Sequence, residues 1–540
     1  MASPPEVNTT LAPVWIVAFV GHRPSAETGR SREELAACAE PLKEALRSLN
    51  TAAREAGGRV ELLTSAAAGS DLEAADAAEA LGLAVHVILP KPEDAFGEDF
   101  TGPSAEDWPR ARRRIAAARA GAGHGSLRIA AGDNTAPDCY HEANTQMLKV
   151  SDVLLTVYNG RPSDQPGGTS DAVAQAEALG RPVFRIDPAD AGRVYRPDDP
   201  MAWTRIDADN QKLFTDVQKG PPDAAPGSAP AEAGGTAGVL DALDRRATHT
   251  ATRFRGRLIW SVRLHLASAL IAAVSATLGP FLVGDKTGKS HGVADVPHLY
   301  FGPLQAFTSV EFVLVMIALG LTVRAHFGHF HHDWRRVRLA AEITRGIHAT
   351  RGMLDPLEPL ILRHAPTWRR FAVSVSVLAG RDAPRGDPPA RSDRYQDERV
   401  EPQMAYFRRE HAKSRPRANW LGRVSAVATL AAPPCILLAL VLKLFYKPFV
   451  ADDWFAAMVA NGLPVILPLV AAFATALMVA GDHARRAERY EQMIGRLEQS
   501  TRLLETLKTD GAVSRTIADI EELLLDELIE WYAASNYTGE

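Results

Sequence analysis

Residues 151–182 read SDVLLTVYNGRPSDQPGGTSDAVAQAEALGRP, and the order of residue types there sets the expectation for the fold. Asp152 opens a short apolar run, 153–157, of the kind that parallel sheets bury on both faces. Asn159-Gly160 marks a turn. Pro166-Gly167-Gly168-Thr169 then leads into an Ala-rich helical stretch ending at Gly180. Glycine lets the backbone approach a ligand closely, and a helix N-terminus offers unpaired N–H groups to an anion. The stretch therefore predicts a phosphate cradle at the carboxyl end of a strand, where open α/β sheets bind ligands.

The sequence upstream repeats the pattern. Residues 15–20 form an apolar strand ending at Gly21-His22-Arg23-Pro24, and residues 32–56 follow as an amphipathic helix. A second strand, 60–63, runs into Ala68-Gly69-Ser70-Asp71 and another Ala-rich helix. A third, 83–89, is closed by Pro90. Strand–helix alternation of this kind predicts a Rossmann-like, doubly wound parallel sheet over residues 1–220. It brings three small-residue turns to one sheet edge.

The chain has 540 residues, room for two to four domains of about 150 residues. Sixty basic against 65 acidic residues give a net charge of −5, which argues against a dedicated nucleic-acid binder. Cys38, Cys139 and Cys435 are far apart and form no pair motif, as expected in a reducing compartment. The segment MASPPEVNTT lacks the basic and apolar regions of a cleavable signal peptide.

Past residue 220 the composition changes. Residues 221–245 read as a Pro/Gly/Ala-rich linker with a basic approach. Residues 246–540 read as an all-α membrane region with four spans, at 258–283, 304–327, 424–442 and 463–480. The third and fourth meet the roughly 20 apolar residues that crossing requires, the first does so from Leu264 onward, and the second is marginal. The connection between the second and third spans is rich in Arg, which places both termini on the cytoplasmic side of an inner membrane. Cytoplasmic helices are expected over 331–354 and 482–532. The second carries a stripe of Tyr490, Met493, Leu497, Ser500, Leu504 and Leu507 suited to core packing or to helix association. Residues 381–402 are polar and Pro-rich and read as a disordered loop. Glu311 inside the second span is a membrane-pathway candidate or an interfacial residue. Pro433-Pro434 should kink the third span. His326, His329, His331 and His332 beside Asp333 read as a protonatable collar rather than a metal site. Asp333-Trp334-Arg335-Arg336 and Asp482-His483-Ala484-Arg485-Arg486 each follow a span and hint at two related two-span units.

Taken in order, VAFVGHRP, LLTSAAAGSDLEAADAA, HVILPKPEDAFGEDF, SDVLLTVYNGRP and GGTSDAVAQAEALGRPVFRI resemble SLOG-type domains, Rossmann-like modules related to the lysine-decarboxylase-like (LOG) phosphoribohydrolases. The resemblance spans about residues 12–215. It implies a nucleotide or nucleotide-derived ligand facing Gly21, His22, Arg23, Gly69, Ser70, Asp71, Asn159, Gly160, Gly167, Gly168 and Thr169. Enzymes of that wider family carry GGxGTxxE, whereas this chain has Gly167-Gly168-Thr169-Ser170-Asp171-Ala172-Val173. The second Gly-Thr step and the Glu are missing, which favours binding over hydrolysis and leaves Asp171 as the candidate acid. The second half, through Trp334, Arg338, Ala341-Glu342 and the closing Glu521, Glu527 and Trp531, resembles the SLATT family of two-span modules. Together the two resemblances imply a sensor of a nucleotide-derived signal driving a pore-forming or membrane-perturbing effector in bacterial antiviral defence, with the lipid bilayer as target. The spans are too few to enclose a wide pore alone, so a homo-oligomer is expected, and the balanced charge leaves no nucleic-acid partner expected. A membrane-anchored nucleotide hydrolase and a constitutive channel or transporter are the rival readings.

Overall fold

The computed structural model describes residues 11–25, 31–121, 125–130, 138–163, 166–219, 235–282, 303–327, 330–351, 358–381, 388–445, 455, 458–481 and 483–534. Seven strands form one sheet: β1 (Val14–Gly21), β2 (Arg59–Thr64), β3 (Val85–Leu89), β4 (Leu127–Ile129), β5 (Val153–Val157), β6 (Val183–Asp187) and β7 (Asp190–Tyr195). Their order is β4-β3-β2-β1-β5-β6-β7. All neighbours pair in parallel except β6 and β7, which form an antiparallel edge. The chain winds outward from β1 to β4, then returns to set β5 on the other side of β1. The carboxyl ends of β1 and β5 therefore flank a topological switch point.

Side chains alternate across the sheet as the period of two requires. Trp15, Val17 and Phe19 enter one core with Val153, Leu155 and Val157. That core is closed by α1 (Ala39–Glu55) and α2 (Ser70–Ala80). Val14, Ile16, Ala18 and Leu154 enter the opposite core, against α3 (Cys139–Val150) and α4 (Thr169–Ala178). The helix expected over 32–56 is broken at Ala37-Cys38, so the segment forms two helices.

Beyond the sheet the described chain is helical. Its elements include α5 (Ala208–Gln218), α6 (Gly235–Leu282), α7 (Pro303–Phe327), α8 (Phe330–Ala349), α9 (Arg369–Arg381), α10 (Glu401–Phe445), α11 (Leu463–Gly481), α12 (His483–Thr506) and α13 (Asp510–Ala534). One of these, α9, belongs to the sheet. Val373 and Val377 lie in the core with Val14, Ile16 and Ala18. Val14 N donates to Ser374 Oγ (3.0 Å), and Arg370 donates to both oxygens of Asp152 (2.8 Å each). Phe371 N donates to Asn210 Oδ1 on α5 (3.1 Å). The helix that covers part of one sheet face is thus supplied from the segment between the second and third expected spans.

Among the described residues two helical runs are long and apolar enough to cross a membrane, Ala390–Leu442 and Met458–Met478. The four-span expectation is reduced accordingly. The first two expected spans form α6 and α7, but their apolar stretches among the described residues are shorter, Arg263–Ser275 and Ser309–Leu321. α6 is 48 residues long, about 70 Å at 1.5 Å per residue. Both α7 and α8 pack back along it, and α11 and α12 pack back along α10 in the same order. α10 continues through Pro433-Pro434.

Several expectations are corrected in detail. Residues 235–245, read as linker, are the first turns of α6, because Val239 and Leu243 fall one turn apart and are both buried. Residues 221–234 lie outside the described residues. Of the loop read as disordered over 381–402, residues 388–402 are helical, since Tyr395 and Arg399 are buried against Glu521 of α13. The stripe on α12 packs inside the chain: Met493, Leu497 and Leu504 share a core with Ile517, Ile520 and Leu524 of α13.

Candidate functional site

The structure gathers the loops after β1, β2 and β5 at the switch point, with His22 between them. His22 N donates to Val157 O (3.2 Å), extending the β1–β5 ladder. Its carbonyl accepts from Ser70 N (3.2 Å) and Ser70 Oγ (2.8 Å). Its ring is buried edge-on to Tyr158, and Nε2 accepts from Asn159 N (3.2 Å). An accepting Nε2 places the proton of the neutral ring on Nδ1.

Asp71 braces the same corner from below. Its carboxylate accepts from Gly21 N (3.1 Å) and Thr64 Oγ1 (3.0 Å). Burial pushes this carboxyl up to about 6, against the opposing pull of Thr64, Arg23 and the Gly21 amide. Gly21 is required by close approach: a Cβ there would sit 2.1 Å from Ser70 Oγ. Gly21→Ala should therefore break the Ser70–His22 brace and cost about 1–3 kcal/mol, as overpacked sites do. A denaturation midpoint indistinguishable from the parent would show that the Ser70–His22 brace contributes nothing to stability.

The Gly-Gly loop behaves differently from the predicted cradle. Gly167 N donates to Asp171 Oδ2 (2.8 Å), and the same oxygen accepts from Gln175 Nε2 (3.0 Å) and lies 2.7 Å from His141 Nδ1. Asp171, in the first turn of α4, thus engages the amide that was expected to meet a phosphate. Gly168 is the N-cap residue and Thr169 the first residue of α4, largely buried. Gly167 has φ +76, and a Cβ there would lie 2.4 Å from Tyr140 Cβ. In the β2 loop, Gly69 N donates to Asp107 Oδ2 (3.1 Å), so a carboxylate meets that backbone amide too. Gly160 (φ +75) packs on Arg185 of β6, whose guanidinium stacks 4.1 Å from the Tyr195 ring.

Cationic groups at this edge come from residues that the sequence reading mostly passed over. Arg23 lies 5.1 Å from the Tyr140 ring centroid, and Lys91 lies 5.7 Å from the same centroid. Lys91 pairs with Asp99 (2.7 Å), whose carboxylate also accepts from Tyr140 OH. His141, Tyr140, Lys91 and Arg185 are thus the side chains that sequence missed. The usable signal was Pro90-Lys91-Pro92 just after a strand; nothing local marked Tyr140-His141. Arg23, Tyr140 and Lys91 therefore form a cation–aromatic group beside the β1 end, while His22, Ser70 and Asp71 hold its backbone in place. Such an edge can bind an anion that carries a planar group.

Glu311 is half-buried on α7 beside exposed Phe312 and Val313. Among the described residues no group of three or more His, Cys, Asp or Glu could hold a metal ion. His329 lies outside the described residues, and His332 Nε2 lies 3.7 Å from Asp209. Two cavities lie away from the switch point. One, of about 160 Å³, is lined by residues of α8, α10, α12 and α13. The other, of about 340 Å³, is at the opposite sheet edge. In comparison with known proteins, no protein-family model matches the chain, and no curated protein or solved structure matches it significantly.

Proposed function

We propose that the chain is a membrane-anchored sensor, of SLOG type fused to a SLATT-like effector, in which a nucleotide-derived signal at the β1/β5 switch point controls a pore-forming or membrane-perturbing helical region. Both termini would be cytoplasmic at an inner membrane, as the Arg-rich connection between the second and third expected spans implies, and the setting bacterial antiviral defence, as the resemblance implies. The observation that carries the membrane half is an inverted distribution of side chains. Ala428, Ala432, Ala439, Ala471 and Ala474 are buried between helices, whereas Val427, Leu430, Leu437 and Leu440 are exposed. Water-soluble helices bury the large apolar residues; helices packed in lipid place small ones at the interface. The apolar windows of the two candidate spans are 17% and 22% buried, unlike core helices. Ser425 Oγ lies 2.9 Å from Thr475 Oγ1 across the α10–α11 pair, a hydroxyl contact suited to that environment. On this reading α6 and α7 form a second membrane hairpin; α8 is the cytoplasmic return of that hairpin along α6, and α12 that of the α10–α11 hairpin along α10. Four helices enclose no wide pore, so copies assemble.

The test is dye release from liposomes holding the full chain, with NAD, ADP-ribose and cyclic oligonucleotides added in turn. At least one should raise release several-fold, and Arg23→Gln should abolish the rise. Release equal with and without every messenger would favour a constitutive channel. The hydrolase reading has one observation behind it, the carboxylate–imidazole pair of Asp171 and His141 (2.7 Å), an arrangement that can orient a general base. Base release from the same nucleotides, lost in Asp171→Asn, would establish it.

A further inference from the structure

The cavity of about 340 Å³ lies at the sheet edge opposite the switch point, where the chain enters β5 and β6 and where α9 begins. Arg181, Arg369 and Arg370 line it together with Asp152. Asp152 accepts from Ile16 N (2.9 Å) and from Arg370, and pairs with Arg369 at 3.1 Å. Arg370 also donates to Val14 O (2.6 Å), Arg369 to Val150 O (3.0 Å) and Arg181 to Lys149 O (3.4 Å). The Nε atoms of all three arginines remain shielded from solvent with no hydrogen-bond partner. Arg370 is 8% exposed.

Three guanidiniums against one carboxylate leave a surplus of two positive charges in a partly closed space. Buried donors without acceptors are costly and rare in native proteins. Burial, then the neighbouring Arg369 charge, push the Arg181 guanidinium down to about 10, which reports the same crowding. Arg205, paired with Asp199 (2.9 Å), and Asp207, which caps α5 (2.8 Å to Asp209 N), also line the cavity and offset each other in charge, so the surplus of two stands.

We infer that this cavity is a second anion site, for the phosphate dianion of a small phosphorylated molecule, held by Arg181, Arg369 and Arg370 and walled by Trp203. The dianion matches the charge surplus. Guanidinium forks match phosphoryl oxygens in pairs. The wall of Trp203 and Pro182 leaves room for an organic body beyond the phosphate. The occupant would tie the loop before β6 to the start of α9, and so the sheet to the helical half. This inference is independent of the nucleotide site proposed at the switch point.

The experiment uses the full chain in detergent and inorganic phosphate at pH 8, with ionic strength held constant by sodium chloride. The thermal midpoint should rise saturably with phosphate. Arg181→Gln should weaken the apparent affinity at least tenfold without lowering the phosphate-free midpoint, because it removes a crowded cation. If that variant fails to fold, Arg205→Gln at the exposed rim should weaken the response several-fold. Arg23→Gln, at the other edge, should leave it unchanged. A rise no greater than chloride produces, one untouched by Arg181→Gln, or one abolished by Arg23→Gln overturns the site. Citrate giving an equal or larger shift at the same concentration overturns its assignment to phosphate.

Discussion

Replacing Asp152 by alanine should destabilise the fold by about 3–5 kcal/mol, the usual consequence of removing one partner from a buried ion pair. The residue is almost wholly enclosed, and its two oxygens meet Arg370 twice and Arg369 once. Burial would raise its carboxyl pKa, but Arg370 and Arg369 outweigh that and hold it below the ordinary value. Without it three guanidiniums would face one another with no counter-charge, and Ile16 N would lose its acceptor inside the β1–β5 region. Asp152→Asn keeps an acceptor for Ile16 N and should cost less than alanine. Urea midpoints of the detergent-solubilised chain order the three proteins: parent, then Asn, then Ala. A loss under about 1 kcal/mol for alanine would mean that water reaches this pair and screens it. Because Arg370 sits on α9 and Asp152 beside β5, the same variant should loosen that helix from the sheet, visible as faster amide exchange over 369–381.

Local pattern and long-range partnership account for which features were readable in advance. The strands over 15–20, 60–63 and 153–157 were legible because a parallel sheet buries apolar runs on both faces, and the observed β1, β2 and β5 fall there. α9 was not legible. Its sequence over 371–378, FAVSVSVL, alternates as a strand would, yet residues 370–377 form a helix buried on every side between the sheet and α5, α6 and α8. Its partners, Asp152 and Asn210, stand about 160 to 220 positions away in the chain. The helical residues 388–402 were hidden for the same reason: charge and proline suggested a solvated loop, while the residue that compensates Arg399 is Glu521. At the candidate site the turns were placed by their glycines, but the groups that occupy the loop amides, Asp107 and Asp171, depend on tertiary geometry. A Gly-Gly step before a helix states that something approaches closely; it does not state whether the visitor is a ligand or, as with Tyr140 against Gly167, the protein itself.

Where the helices that flank the expected spans meet, Glu521→Ala should be as damaging as Asp152→Ala, about 3–5 kcal/mol. Arg399 directs Nε and one Nη at the two oxygens of Glu521 (2.8 and 3.0 Å), and Tyr395 OH donates to the same carboxylate (2.9 Å). Arg399 also lies 3.3 Å from Glu342, which is 2.6 Å from Arg345. This network joins α8, the turn before α10, and α13, so its loss should loosen the joint between the α6–α8 and α10–α13 helical units. Glu342 adds a pH dependence with a definite sign. Burial would raise its pKa, but Arg345, Arg338 and Arg399 hold it at about 2, against 4.5 for an ordinary Glu. A depressed carboxyl contributes stability above its unfolded pKa and loses that contribution as pH falls through its folded one. About 3 kcal/mol should therefore disappear between roughly pH 4.5 and pH 2. Glu342→Gln tests the cause: at pH 7 it should unfold at lower denaturant than the parent, and the two midpoints should converge as pH approaches 2. A gap that stays constant across that range would show that shape rather than charge is what the glutamate supplies, and the ion-pair network would then hold no special place in joining the units.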